Sequence, residues 1–230
     1  MRYFTCLLFL FYTTLWSQTT FEKSEKLYVK ENFASAKTGF ETVLKQNPNH
    51  LKTIQYLGEI ACHLKSWDQA LFYFGRLKNI RPTQADYYYL YGGALALKAT
   101  SVNKFKALGM INDIRESFEK AIELNPKHIE ARWALIEYYI QLPYLLGGGE
   151  NKAMRYANEL TQLSPVDGYL SKGHIAEHYG HIQDAEKYYL KAVEVGQSAT
   201  AYKKLAHLYN KMNQPEKAKT ILESYSKRKG

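Results

Sequence analysis

The chain has 230 residues, 46% of them hydrophobic, and carries 31 basic against 22 acidic side chains for a formal net charge of +9. That length and apolar share suit one sizeable domain. Past residue 17, Cys62 is the single cysteine, which excludes an intrachain disulfide there, so stability must come from packing.

Met1, Arg2 and Tyr3 make a short basic start, and Phe4 to Trp16 then runs without a charge until Ser17 and Gln18 open a polar region. This pattern predicts a secretory signal peptide over residues 1–17, cut near Ser17. The apolar run is shorter than the roughly 20 residues that cross a bilayer, and no later stretch approaches that length. A retained anchor or a buried first helix is the alternative. Leu15 is larger than usual for the third residue before the cut, and Cys6 lies too early to become a lipid-modified N-terminus.

From residue 20 onward the chain repeats itself. Ala36 and Ala70, Phe40 and Phe74, and Pro48 and Pro82 are each 34 residues apart. Residues 20–50 hold Leu27, Phe33, Ala36, Phe40, Val43 and Pro48. Residues 51–84 hold Leu57, Gly58, Trp67, Ala70, Phe74 and Pro82. Residues 85–128 follow with Gly92, Leu95, Phe118, Ala121 and Pro126, and residues 129–165 with Leu135, Tyr139, Ala153, Ala157, Leu160 and Pro165. Residues 166–198 carry Gly173, Ala176, Gly180, Ala185, Tyr189 and Ala192. Residues 199–226 carry Leu205, Ala206, Tyr209, Pro215, Ala218 and Leu222, and residues 227–230 form a basic tail.

Each segment predicts two antiparallel helices, A and B, with an apolar stripe on each. Gly58 on helix A and Ala70 on helix B are expected where the two approach most closely. Pro82 is expected to end helix B, since it lacks an amide hydrogen and restricts the residue before it. A single hairpin cannot bury its own apolar faces, so the pairs must stack. Extra residues near Ser101 to Asn112 and at 143–149 fall between helices A and B of the third and fourth pairs.

These residues at these offsets resemble the tetratricopeptide repeat, strongly in the second, fourth and fifth segments and more loosely in the others. The resemblance implies an all-α, right-handed superhelical solenoid of about six helix-turn-helix repeats, with no volume left for a catalytic domain. It also implies a periplasmic or other extracytoplasmic bacterial setting, as members of the family are common there.

In such a solenoid helices A line a concave groove. The family register places Glu25, Tyr28, Gln55, Glu59, His63 and Tyr89 on it. Farther along come Glu130, Trp133, Glu137, Gln141, His174, Glu177 and His178, then Lys203, His207, Asn210 and Lys211. Aromatic groups beside polar ones suit a peptide or protein partner. Some family members clamp a chaperone's terminal carboxylate with Lys, Asn and Arg. Phe21, Glu25, Gln55 and Tyr56 stand at those positions here, so that partner is not implied.

Three motifs raise the question of chemistry. His174-Ile175-Ala176-Glu177-His178 spells the H-x-x-E-H signature of inverted zincin peptidases, with both imidazoles on one helical face. It lies inside a good helix A, however, and the chain ends 52 residues later (230 − 178), leaving no place for the further acidic ligand and large domain that the peptidases need. Gly147-Gly148-Gly149-Glu150-Asn151-Lys152 lacks the Gly-Lys-Ser/Thr sequence of a phosphate loop and predicts a turn. Cys62 and His63 point about 100° apart on a helix, which disfavours a nucleophile–base pair. No catalytic residue, metal site, cofactor or small-molecule substrate is expected.

The expected function is therefore a non-enzymatic interaction scaffold that binds a protein or peptide in its concave groove. The alternative is an envelope-associated adaptor docking on an acidic or membrane surface through the C-terminal end. There, Lys203, Lys204, Lys211, Lys217, Lys219, Lys227, Arg228 and Lys229 outnumber Glu216 and Glu223. Membrane contact is the weaker expectation, and nucleic acid is not expected.

Overall fold

The computed structural model describes residues 19–229. The expected signal peptide and its cleavage point near Ser17 lie outside the described residues. Within them every regular element is helical and no strand forms. The chain divides into two compact units, at Leu124 and Asn125.

The first unit holds α1 (19–29), α2 (Phe33–Gln46), α3 (Leu51–His63), α4 (Trp67–Ile80), α5 (Ala85–Ser101), the short α6 (Lys104–Leu108) and α7 (Ile111–Leu124). The second holds α8 (Ile129–Gln141), a 3-10 turn (Tyr144–Leu146), α9 (Glu150–Leu163), α10 (Pro165–His178), α11 (Ile182–Gly196), α12 (Ala199–Lys211) and α13 (Pro215–Lys229). In the first unit α2, α3, α4 and α5 each pack on the next, and α5 on α7; in the second the chain of neighbours runs from α8 to α13. The A helices are α1, α3, α5, α8, α10 and α12. This is the stacked arrangement of helix hairpins that the repeating pattern demands.

Local chemistry starts and stops these helices. Asn32 caps α2 by accepting from Ser35 N at 3.3 Å, and Asn103 caps α6 from Lys106 N at 3.0 Å. The imidazoles of His50 and His128 cap α3 and α8 in the same way, accepting from Thr53 N and Ala131 N. Helices α2, α4 and α7 end two residues before Pro48, Pro82 and Pro126.

Pro165, placed by sequence at the end of the fourth pair, is instead the first residue of α10. A proline is tolerated there because the first-turn amide has no intrahelical partner. Likewise, residues 227–229, which the sequence suggests as a tail, continue α13.

The core repeats one device. A Cβ on Gly58 would lie 2.4 Å from the Phe74 ring, one on Gly173 2.4 Å from Tyr189, and one on Gly92 2.9 Å from Phe118. A hydrogen on helix A thus admits an aromatic ring from helix B of the same pair. Opposite Gly58 stands the ring of Phe74, while Ala70 is buried beside it.

Both insertions take defined forms. The first lengthens α5 to Ser101 and adds α6, which presents Phe105 outward. The second is a glycine-locked turn in which Gly148 N donates to Pro143 O at 3.1 Å, Gly149 N to Tyr139 O at 2.9 Å and Lys152 Nζ to Gly147 O at 2.7 Å. Gly147 and Gly149 adopt positive φ, and a Cβ on Gly148 would fall 1.7 Å from Leu142 O. The turn leaves Tyr144 and Leu145 exposed.

Candidate functional site

In the first unit α1 and α3 share a bonded polar face. Tyr28 donates its hydroxyl to Glu59 at 3.0 Å, and Gln55 donates to the other oxygen of Glu59 at 2.8 Å. Glu25 accepts from Tyr56 at 2.9 Å and from Lys52 at 2.8 Å. The rings of Tyr28 and Tyr56 lie 4.8 Å apart. His63 stacks on Phe33 at 4.3 Å with its ring 6.2 Å from Tyr28. Five of the six residues named for this unit's groove are therefore in one network or its margin. Tyr89 instead rests its ring 6.0 Å from Phe118 of its own helix pair.

The electrostatics follow from these contacts. Burial would raise the Glu25 carboxyl, but the hydrogen bonds from Lys52 and Tyr56 hold it below the usual carboxylate range. Burial, aided by Glu25, pushes the Tyr56 hydroxyl up to about 12. Burial and then Glu59 push the Cys62 thiol up to about 11, which keeps it protonated at neutral pH.

In the second unit α8, α10 and α12 form the corresponding wall, with α10 touching both others. Trp133 Nε1 donates to Asp167 Oδ1 at 3.1 Å, and Ser164 donates to the other oxygen of Asp167 at 2.5 Å. His174 Nε2 stands 2.6 Å from Glu137 Oε1. The imidazole beside it holds the Glu137 carboxyl down, against burial. Glu177 accepts from Lys211 at 2.8 Å and from the buried Tyr189 at 2.9 Å.

These links run between A helices of successive pairs, except for the Ser164 bond, which is local to the start of α10, and for Tyr189, which reaches the wall from α11. The H-x-x-E-H residues thus have separate partners. His174 faces Glu137, Glu177 faces Tyr189 and Lys211, and the ring of His178 lies 5.0 Å from that of Tyr179. His181, one turn on, is 3.3 Å from Glu150. Among the described residues no group of three or more His, Cys, Asp or Glu is placed to hold a metal ion. The remaining expected wall residues, Glu130, Gln141, Lys203, His207 and Asn210, are exposed, with Glu130 3.2 Å from His128.

Sequence reasoning missed Lys52, Asp167 and Tyr189 as members of these networks. Their spacing carried a partial signal, since Asp167 and Trp133 are 34 residues apart.

Glu177 provides a test. Burial would raise its carboxyl, and the bonds from Lys211 and Tyr189 together with the Lys211 and His207 charges lower it overall. A carboxyl lowered on folding stabilises above its unfolded pKa, and that contribution disappears as pH falls through its folded pKa. The urea-stability difference between wild type and Glu177→Gln should be steady near neutral pH. It should begin to shrink as the pH falls below the ordinary carboxylate value of about 4 and vanish once the pH is below the lowered folded value. A difference that widens in acid contradicts the assignment.

Comparison with known proteins bears on the fold. Residues 166–195 and 199–228, which are α10–α11 and α12–α13, match the tetratricopeptide repeat model. The crystal structure of a thermophilic repeat protein from Thermus thermophilus is similar with a TM-score of 0.64 and 18% identity, over 90% of this chain and 98% of that one. PilW, described as a widely conserved type IV pilus biogenesis factor, has a TM-score of 0.64 and 17% identity, over 89% of this chain and 90% of its own. YrrB, described as having an unusual peptide-binding site, has a TM-score of 0.51 and 15% identity, over 79% and 87% of the two chains. None of the curated proteins compared with the chain matches significantly. Two helix pairs thus match the tetratricopeptide repeat, and the chain shares its helical fold with solved tetratricopeptide-repeat proteins.

Proposed function

We propose that this chain is a non-enzymatic scaffold that binds a protein or peptide partner on its A-helix walls. The observation that carries the reading is the row on α8, α10 and α12, where Trp133, Glu137, His174, Glu177 and Lys211 are held by links between repeats while His178, Lys203, His207 and Asn210 remain exposed beside them. Side chains fixed in advance lose little freedom on binding, and an aromatic ring beside charged groups gives both area and direction. The peptide-binding site named for YrrB supports the same use of the fold. Affinity capture from the native cell extract with wild-type and wall-substituted chains tests it.

The same reading extends to location. An N-terminal run of thirteen uncharged residues after Arg2 and Tyr3 supports export to a periplasmic or extracytoplasmic compartment. The N-terminal sequence of the protein recovered from the cell envelope should then begin at Gln18. A recovered chain that still starts at Met1 overturns cleavage.

A further inference from the structure

We propose that the A–B turn edge of the first unit is an interfacial anchor for an anionic phospholipid surface, with Phe105 as its wedge. Two contacts bring the turns of this unit to one edge. Lys37 Nζ near the start of α2 bonds Gln69 Oε1 near the start of α4 at 3.3 Å, and Lys98 Nζ near the end of α5 pairs with Asp68 at 2.5 Å. The three turns, around residues 30–32, 64–66 and 102–110, therefore emerge together.

Each turn exposes an apolar side chain next to lysine. Val29 is 79% exposed and followed by Lys30, Leu64 is 49% exposed and followed by Lys65, and Phe105 is 87% exposed between Lys104 and Lys106. The four lysines are exposed as well. The carboxylates at this edge are Glu31, Asp68 and Asp113. Asp68 pairs with Lys98 while its side chain stays 87% exposed, and Asp113 lines a cavity with Lys78 and Lys120. Glu31 is exposed beside Lys30, so five lysines (Lys30, Lys65, Lys98, Lys104 and Lys106) stand against these three acids. From Tyr87 to Asn112 the sequence has no acid but has Lys98, Lys104 and Lys106.

Chemistry selects the occupant. Separate apolar side chains, each beside a lysine, offer no continuous groove for a folded protein. A bilayer surface accepts such side chains one at a time at the headgroup boundary. The lysine stems lie along the acyl chains and their ammonium groups reach phosphate. The turn caps keep the wedge presented, since Asn103 closes the first turn of α6. This edge is made of turn residues and is distinct from the A-helix wall proposed to take the protein partner.

The test uses the full chain with vesicles of phosphatidylcholine alone and with added phosphatidylglycerol. The N-terminal apolar run is common to every variant, so a local readout is needed. Phe105→Trp, in a chain whose Trp16, Trp67 and Trp133 are replaced by phenylalanine, leaves one indole whose emission should be quenched by brominated lipid in the anionic vesicles and spared in the neutral ones. Adding Lys104→Glu and Lys106→Glu should abolish the quenching. Phe105→Ser should weaken anionic-vesicle binding by about tenfold, and the lysine pair reversed in charge by about thirtyfold or more. An unquenched indole with anionic vesicles overturns the proposal, including the case in which an acidic protein is found to cover the turn instead. Equal binding by wild type and both variants overturns it too.

Discussion

Phe74→Ala should lower the unfolding free energy by about 3–5 kcal/mol, read as a large fall in the urea midpoint followed by circular dichroism. Phe74 is fully buried, and its ring occupies the space that Gly58 leaves open. Alanine would remove both the transferred apolar surface and the atoms filling that space, and α3 and α4 cannot collapse onto a gap bounded by backbone. A domain is typically stable by about 5–15 kcal/mol, so the loss is a large share of the total. Phe72 supplies the contrast. It lies on the same helix, two residues away, and is 60% exposed. Phe72→Ala should change stability by less than about 0.5 kcal/mol. Similar losses at both positions would mean that the buried stripe of α4 has been misassigned.

Trp133→Ala should reduce partner capture by about thirtyfold or more, the scale of a central interface residue worth about 2 kcal/mol. The indole is half-buried, holds Asp167 through Nε1 and packs against the core of the second unit, so its loss also costs some stability. A second variant separates the two effects. His207→Ala with Asn210→Ala changes exposed side chains on α12 and leaves the core intact. It should keep wild-type helicity and urea midpoint while lowering capture severalfold. Capture unchanged in both variants would remove the second unit's wall from the binding surface. Loss with Trp133→Ala alone, accompanied by a falling midpoint, would assign that residue a packing role.

The wall residues that would meet a partner are also those that join neighbouring repeats. Glu25, Glu59, Glu137 and Glu177 each face a group on the adjacent A helix. A ligand reaching these carboxylates must compete with tyrosine, lysine or histidine already in place. The exposed Lys203, His207 and Asn210 carry no such cost, which favours first contact on α12.

The sequence alone determined the hairpin. Phe40 and Phe74, Ala36 and Ala70, and Pro48 and Pro82 recur at a fixed interval because each pair solves the same local packing problem. Helical phase is enough to say which side of each helix is apolar. The family register, not helical phase, assigned Tyr28, Glu59, Trp133 and Glu177 to the groove face, and each bonds a residue on another helix. Which atoms meet across those faces was decided only by the tertiary structure. Crossing angle and rotamer turn Tyr89 onto Phe118, give Asp167 to Trp133, and send His174 and Glu177 of one short motif to different partners. Periodicity likewise located the two insertions but left their form open. Phe105 faces outward because α6 is one short turn whose contact with α5 buries none of its residues, and Tyr144 and Leu145 do so because backbone hydrogen bonds close the glycine turn beneath them.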